Sequence, residues 1–219
     1  MFTGIVEEMG RLCAIQKGPA SARLTVEAHK IIRDVQLGDS IACNGVCLTV
    51  TDFTHDRFTA DVMHETLART SLGQLSPGQA LNLERAMPMN GRFGGHIVTG
   101  HIDGTGEISS IEEDDIARRL QIRCEKRLMR YMIRQGAVAL DGTSLTIASI
   151  SEGAFVVSLI PHTLAATVLQ YRKKGEWVNI ECDLVGKYVD HLLFLGPEEQ
   201  EEQQTSSPIT RAFLTEHGF

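Results

Sequence analysis

Two short phrases carry the side chains best suited to nucleophilic or proton-transfer chemistry. Residues 43–50 read CNGVCLTV and residues 140–147 read LDGTSLTI. In each, a turn dipeptide (Asn44-Gly45, then Asp141-Gly142) delivers a small nucleophilic side chain, followed by Leu and Thr. Cys47 brings a thiol and Ser144 a hydroxyl, and both groups need a neighbouring base or hydrogen bond to become reactive. Strand alternation puts Cys47 with Thr49, and Ser144 with Thr146, on one sheet face. Because a barrel interior is usually apolar, these polar residues are expected at a rim or mouth. The same residues also suit a purely local task, since Ser and Thr often satisfy turn hydrogen bonds.

Other reactive constellations are missing or weak. The chain has no Walker loop, no GxGxxG opening a helix after a strand, no HExxH and no GxSxG. His96 and His101 in GGHIVTGHIDG are candidate metal ligands, but an odd separation in a continuous strand sends them to opposite faces. Five cysteines, at 13, 43, 47, 124 and 182, form no CxxC pair. The lone C-x3-C of Cys43 and Cys47 is a poor metal signal, so free thiols in a reducing compartment are expected, with no metal and no cofactor. A net charge of −7 argues against nucleic acid as a partner. Lys126, Arg127, Arg130 and Arg134 fall at helical spacing, either a solvated face or an anion site. No apolar run is long enough for a membrane helix, and MFTGIVEEMG does not resemble a signal peptide. The expectation is a cytoplasmic globular protein without a membrane partner.

The elements that must position these residues are written twice. Thr3, Gly4 and Gly10 match Thr99, Gly100 and Gly106 at an offset of 96. At an offset of 97, Gly45, Leu48 and Thr49 match Gly142, Leu145 and Thr146. The register holds through Phe58/Phe155, Thr66/Thr163, Leu72/Leu169, Asn82/Asn179 and Glu84/Glu181. Such a period is too long for a solenoid and suits a small domain of about 100 residues. MNGRFGG, at 89–95, supplies a linker.

In copy one, FTGIV, RLTVEA, DSIACNG, CLTVTDF, RFTADVM and ALNLERA read as strands; copy two repeats them as VTGHID, LQIRC, AVALDG, SLTIASI, AFVVSLI and WVNIEC. Short helices are expected at His64–Leu72 and His162–Leu169. Six strands per copy suit a closed barrel, which leaves no exposed sheet edge. The fold class is therefore mainly β: a tandem duplication of two six-stranded antiparallel β-barrels plus a C-terminal α-helix. The barrels span 1–95 and 96–184. A helix over 185–196 carries Val185, Val189, Leu192 and Leu193 on one stripe, with Gly196 and Pro197 as a stop. Residues 197–219 are expected to be a mobile tail, with a short helix capped by Ser207 and ending at Gly218.

MFTGIVEE, NGVCLTV, GGHIVTGHIDGTG, DGTSLTI and VNIECDLVGKYV, in this order, resemble the riboflavin synthase family of the alpha-chain type over roughly residues 1–196. The resemblance implies dismutation of two molecules of 6,7-dimethyl-8-ribityllumazine. One gives a four-carbon unit to the other, yielding riboflavin and 5-amino-6-ribitylamino-uracil without cofactor or metal. It also implies a homotrimer, with each site between the first barrel of one subunit and the second barrel of a neighbour. It leaves open an association with lumazine synthase. A lumazine- or flavin-binding protein without turnover is the alternative within the same fold.

By this resemblance, the first pocket uses Gly4, Ile5 and Val6, then Cys47, Leu48 and Thr49, then Asp61, Val62, Met63, His64, Glu65 and Thr66. The second uses Gly100, His101 and Ile102, then Ser144, Leu145 and Thr146, then Ser158, Leu159, Ile160, Pro161, His162 and Thr163. Gln135 stands where the family has a lysine, and Arg134 is a substitute for the missing charge. His101, Ser144 and Thr146 are candidates for proton transfer at the donor, Cys47 for addition at the acceptor, and Asp183 for orienting Ser144 or a base. Which barrel holds donor and which acceptor stays open.

Overall fold

The computed structural model describes residues 1–194 and Thr215. Strands β1 (Glu8–Lys17), β2 (Ser21–Glu27), β3 (Ser40–Cys43), β4 (Val46–Phe53), β5 (Arg57–Met63) and β6 (Ala80–Arg85) close a barrel in the order β1-β2-β5-β4-β3-β6. Strands β7 (Gly104–Asp114), β8 (Ala117–Cys124), β9 (Ala137–Leu140), β10 (Thr143–Ser151), β11 (Ala154–Leu159) and β12 (Trp177–Cys182) close a second barrel with the same cyclic order. All pairings are antiparallel.

The duplication reaches the details that bend each sheet shut. Register shifts fall between Leu12 and Ala14 and between Val50 and Asp52, and again between Ile108 and Ser110 and between Ile147 and Ser149. A bulge increases local twist and bends its strand, which is what closure of six short strands requires. The β3–β4 and β9–β10 hairpins turn on Asn44-Gly45 (φ 45° and 81°) and Asp141-Gly142 (φ 43° and 76°). Positive φ at both central residues is the tight turn whose twist matches the strands it joins. Alternate strand residues fill each interior, Phe58 in one core and Phe155 in the other, joined by Leu72 and Leu169 from 3-10 turns, all fully buried.

Several local expectations are corrected. FTGIV and VTGHID are not barrel strands. Among the described residues their only ladder contact is an isolated Phe2–Val98 bridge, and the first strand of each barrel begins later, at Glu8 and Gly104. Gly4 and Gly100 take φ of 76° and 84°, which ends any extended run there. The helices expected at 64–72 and 162–169 are α1 (His64–Arg69) and α3 (Pro161–Ala166), each broken at a threonine with extended backbone, Thr70 or Thr167, before a 3-10 turn. The break is held by the threonine hydroxyl donating to the carbonyl four residues back, Thr66 or Thr163. The basic run forms only one helical turn, α2 (Lys126–Met129), so Arg130 and Arg134 lie beyond it.

Helix α4 covers Leu184–Phe194. Its Val185, Tyr188, Val189, Leu192, Leu193 and Phe194 are all at least half exposed. The stop at Gly196 and Pro197 and the terminal helix from Ser207 to Gly218 lie outside the described residues. Among the described residues, no helix is long and apolar enough to cross a membrane.

Candidate active site

Each barrel wall is split at one end. Val46–Thr49 of β4 pair with β3, and Asp61–Met63 of β5 pair with β2. The two strands meet each other only from Val50 and Ala60 onward. In the second barrel, Thr143–Thr146 pair with β9 and Ser158–Leu159 with β8, while β10 and β11 meet only from Ile147 and Val157. The sequence-derived site residues therefore face one another across a gap in the sheet: Cys47–Thr49 against Asp61–Met63, and Ser144–Thr146 against Ser158–Leu159.

A crossing segment occupies the base of each gap. The Cys47 N–H donates to the Gly100 carbonyl (2.9 Å), and the Ser144 N–H donates to the Gly4 carbonyl (2.7 Å). This crosses the grouping expected from sequence. Gly4 sits on the second barrel's reactive residue and Gly100 on the first barrel's, so His101 enters beside Cys47 and Ile5 beside Ser144. Two residues beyond the Cys47 and Ser144 contacts, the backbone groups of Thr49 and Thr146 point the same way, into the gap, by the alternation of antiparallel strands. A flat heterocycle with an N–H and C=O edge can dock there as an added strand would.

The polar side chains lie on the outer wall, not at a barrel mouth. Cys47 and Ser144 are half-buried and Thr49 and Thr146 exposed, while Leu48, Val62, Leu145 and Leu159 point into the cores. These four can offer a ligand only their main chain. Met63 (69%) and Ile160 (54%) are exposed apolar side chains at the far edges of the gaps, suited to cover a ring face. Asp61 is engaged by the Arg23 guanidinium (2.8 Å), whose hydrogen bond holds its carboxyl below the usual range. His64, Glu65, Pro161 and His162 are exposed at the starts of α1 and α3, with Thr66 and Thr163 half-buried behind them. Ile102 packs on the first barrel's core, and Val6 is half-buried. Gln135 is exposed in a loop with φ 65°.

Sequence reasoning missed the groups that hold the crossing segments. Glu84, at the end of β6, accepts from the Thr3 N–H (2.6 Å), the Thr3 hydroxyl (2.7 Å) and the Gly4 N–H (3.0 Å). Glu181, in β12, accepts the same three bonds from Thr99 and Gly100. Burial pushes the Glu84 carboxyl up, against the pull of its hydrogen bonds. Asn82 reaches out of its own barrel, donating to the Asp141 carbonyl (2.8 Å) and accepting from the Val168 N–H (2.8 Å). Asn179 does the same toward the Asn44 carbonyl and the Ser71 N–H. The signal was available, because Thr3/Thr99, Asn82/Asn179 and Glu84/Glu181 all recur at the repeat offsets.

The surroundings of the two reactive side chains differ. Cys47 packs against an apolar cluster that includes Phe2, Ala42 and Val98. Ser144 instead has its hydroxyl 2.7 Å from Nδ1 of His96. Burial lowers the His96 pKa, with the Asp183 charge pulling the other way. Behind Cys47, burial and then the neighbouring Cys47 sulfur push the Cys43 thiol far up, which leaves Cys43 inert at neutral pH.

Residues 3–86 and 99–183 each match the Lumazine binding domain. The chain is 48% identical to the riboflavin synthase of Bacillus subtilis (strain 168) and 49% identical to that of Actinobacillus pleuropneumoniae, over the full length of both partners in each case. Among solved structures it is similar to LumP complexed with riboflavin (TM-score 0.77, 27% identity) and to LumP complexed with 6,7-dimethyl-8-(1'-D-ribityl) lumazine (TM-score 0.76, 26% identity). Each likeness covers 83% of this chain and 99% of the other. With both halves matched to one ligand-binding domain and the whole length shared with these enzymes, the chain belongs to the riboflavin synthase family.

Proposed function

We propose that the chain dismutates two molecules of 6,7-dimethyl-8-ribityllumazine, moving a four-carbon unit from one to the other to give riboflavin and 5-amino-6-ribitylamino-uracil. The observation that carries this reading is that both barrels keep a split wall with a polar, outward-facing pair, Cys47/Thr49 and Ser144/Thr146. A carrier needs one such seat, whereas a bimolecular reaction between two like molecules needs two. The seats are unequal, as donor and acceptor chemistry requires.

The 7-methyl group of the lumazine is an acidic carbon acid because its anion delocalises into the electron-poor ring. Little intrinsic chemistry is then left for the protein. Holding two reactants in register contributes about 7–11 kcal/mol, against roughly 10²–10⁴-fold for one general base. Main-chain groups along each gap supply that registration, and Cys47 and Ser144 act on the reacting carbons. His101, beside Cys47, serves the lumazine seated in the first barrel. The complete site forms between the first barrel of one subunit and the second barrel of a neighbour in a homotrimer, and the reaction takes place in the cytoplasm, where the five free thiols are at home.

Incubating the purified chain with the lumazine tests the reading. Yellow riboflavin and the pyrimidine should appear in equal amounts. Bound but unconverted lumazine would favour a carrier like LumP, and neither product nor binding would reject both.

A further inference from the structure

The two crossing segments belong to neither barrel's ladder, yet each ties one barrel to the other at a candidate side chain. They pair with each other at Phe2 and Val98, where each N–H donates to the other's carbonyl (2.7 and 3.1 Å). The first segment is held by Glu84 of the first barrel, which accepts the Thr3 N–H, the Thr3 hydroxyl and the Gly4 N–H. Its Gly4 carbonyl then accepts the Ser144 N–H of the second barrel (2.7 Å). The second segment mirrors this. Glu181 of the second barrel holds Thr99 and Gly100, and the Gly100 carbonyl accepts the Cys47 N–H of the first (2.9 Å). The approach leaves no room for a side chain, since a Cβ at Gly4 would fall 2.7 Å from the Ser144 Cβ.

We infer that Glu84 and Glu181 are positioning residues that act crosswise: Glu84, in the first barrel, sets the seat at Ser144 in the second, and Glu181, in the second barrel, sets the seat at Cys47 in the first. The inference rests on the riboflavin synthase reading for what the seats do, and on geometry alone for which seat each glutamate sets. A single residue stands between carboxylate and seat in each case. Gly4 gives its N–H to Glu84 and its carbonyl to Ser144, and Gly100 gives its N–H to Glu181 and its carbonyl to Cys47. Both glutamates are buried and act only through these segments.

A turn at these places needs no carboxylate. The Thr3 hydroxyl oxygen already accepts the Ile5 N–H (3.3 Å), and that of Thr99 accepts the His101 N–H (3.3 Å), the local bond by which threonine shapes turns. Burying a carboxylate is costly unless its oxygens are hydrogen-bonded, and here those bonds reach a segment some 80 positions away. Bonds to an ionised acceptor are short and strong, so they fix where each glycine carbonyl stands. That carbonyl anchors the strand N–H that comes just before the free backbone groups of Thr146 or Thr49 in the gap. A shift of the glycine therefore moves the edge on which a heterocycle docks, and small misplacements of reacting molecules are costly.

The test compares Glu84→Gln and Glu181→Gln with the wild type by amide hydrogen exchange at Cys47 and Ser144 and by kcat at saturating lumazine. Glutamine keeps an oxygen for the two threonine bonds but turns an NH2 group toward the glycine N–H. Glu84→Gln should speed exchange of the Ser144 N–H at least about tenfold and leave the Cys47 N–H within about threefold of wild type. Glu181→Gln should do the reverse. Each should lower kcat about 10–10²-fold, whereas a purely structural role would lower the unfolding midpoint and leave kcat of the folded protein unchanged. Exchange that rises in the glutamate's own barrel, in both barrels alike or in neither overturns the inference, as does kcat within about threefold of wild type. Should the glutamine variants fail to fold, Thr3→Val and Thr99→Val, which remove one bond to each carboxylate, should give the same crossed exchange pattern, and its absence overturns the inference. Wild-type protein that makes no riboflavin removes the parent reading, and the exchange pattern then upholds or overturns the inference alone.

Discussion

Cys47 and Ser144 owe their seats to two glycines from the opposite side of the molecule. Gly100 has φ 84°, and a Cβ there would sit 2.5 Å from the Cys47 Cβ and 2.9 Å from the Cys47 nitrogen. Two costs add in Gly100→Ala: the left-handed backbone, about 1–2 kcal/mol, and forced displacement of packed atoms, about 1–3 kcal/mol. A loss of about 2–5 kcal/mol in urea unfolding is expected, together with weaker lumazine binding at the first barrel. Gly175→Ala is the control, since φ is 88° but no atom lies within 4 Å of the added carbon; it should cost only the backbone share. Gln135 presents the reverse case, a side chain at φ 65° where copy one has Gly38 at φ 90°. Gln135→Gly should therefore stabilise the fold by about 1 kcal/mol, seen as a higher urea midpoint. A lower midpoint would mean that the Gln135 side chain makes a contact worth more than the strain.

The turns that carry the two reactive residues are secured differently, and the difference is coherent within the chain. At the β9–β10 turn, the Asp141 carboxylate, fully buried, accepts the Asn179 N–H (2.9 Å) and pairs with Arg172 (2.6 Å), itself 16% exposed. Burial pushes the Asp141 carboxyl up, and Arg172 opposes it. At the β3–β4 turn, the matching pair is Asn44 and Leu75. Asn44 accepts the Asn82 N–H, and its Nδ2 is buried without a hydrogen-bond partner among the described residues. Arg172→Leu alone strands a buried carboxylate and should cost about 3–5 kcal/mol. Adding Asp141→Asn recreates the chemistry of copy one and should recover most of that loss, because a whole buried ion pair is often replaceable at little net cost. Chemical unfolding of the two variants checks this; a double variant no better than the single would show that the charge itself is needed at this turn. Element boundaries were largely legible from sequence because β-branched runs between turn dipeptides need no tertiary information. FTGIV and VTGHID were misread because their fate depends on Glu84 and Glu181, some 80 residues away, which bind the backbone amides a strand would have used. The candidate residues Cys47 and Ser144 stood out in the sequence because the segments that carry them recur. Their crossed partnership with Gly4 and Gly100 was not, since a repeat offset says which residues correspond and nothing about which barrel they touch. His96 lies ahead of the first recurring pair in the second copy, Thr99, so the repeat gave no cue to it.

At the scale of the molecule, the proposed reaction draws on two gaps per chain that differ in side chain, entrance residue and turn chemistry. The proposed reaction seats one heterocycle in each of two gaps and brings those gaps together from adjoining chains. Helix α4 is the element suited to that assembly. Its Val185, Val189 and Leu192 recur at i, i+4 and i+7, and these residues with Tyr188 and Leu193 are half to three-quarters exposed. An 11-residue helix has little stability alone, and an apolar stripe of this kind normally gains it from packing. Leu192→Glu combined with Val189→Glu should therefore give a monomer in sedimentation velocity. It should still bind lumazine, since each gap is built within one chain, but its turnover should fall at least about 10²-fold, the scale of lost positioning rather than of a lost contact. Wild-type protein should show the same linkage on dilution, with specific activity falling as the proposed assembly dissociates. A double variant that sediments as a monomer and still makes riboflavin at the wild-type rate would place the whole reaction within one chain, and the two gaps would then have to meet across the pseudo-symmetric contact of Gly45 with Gly142.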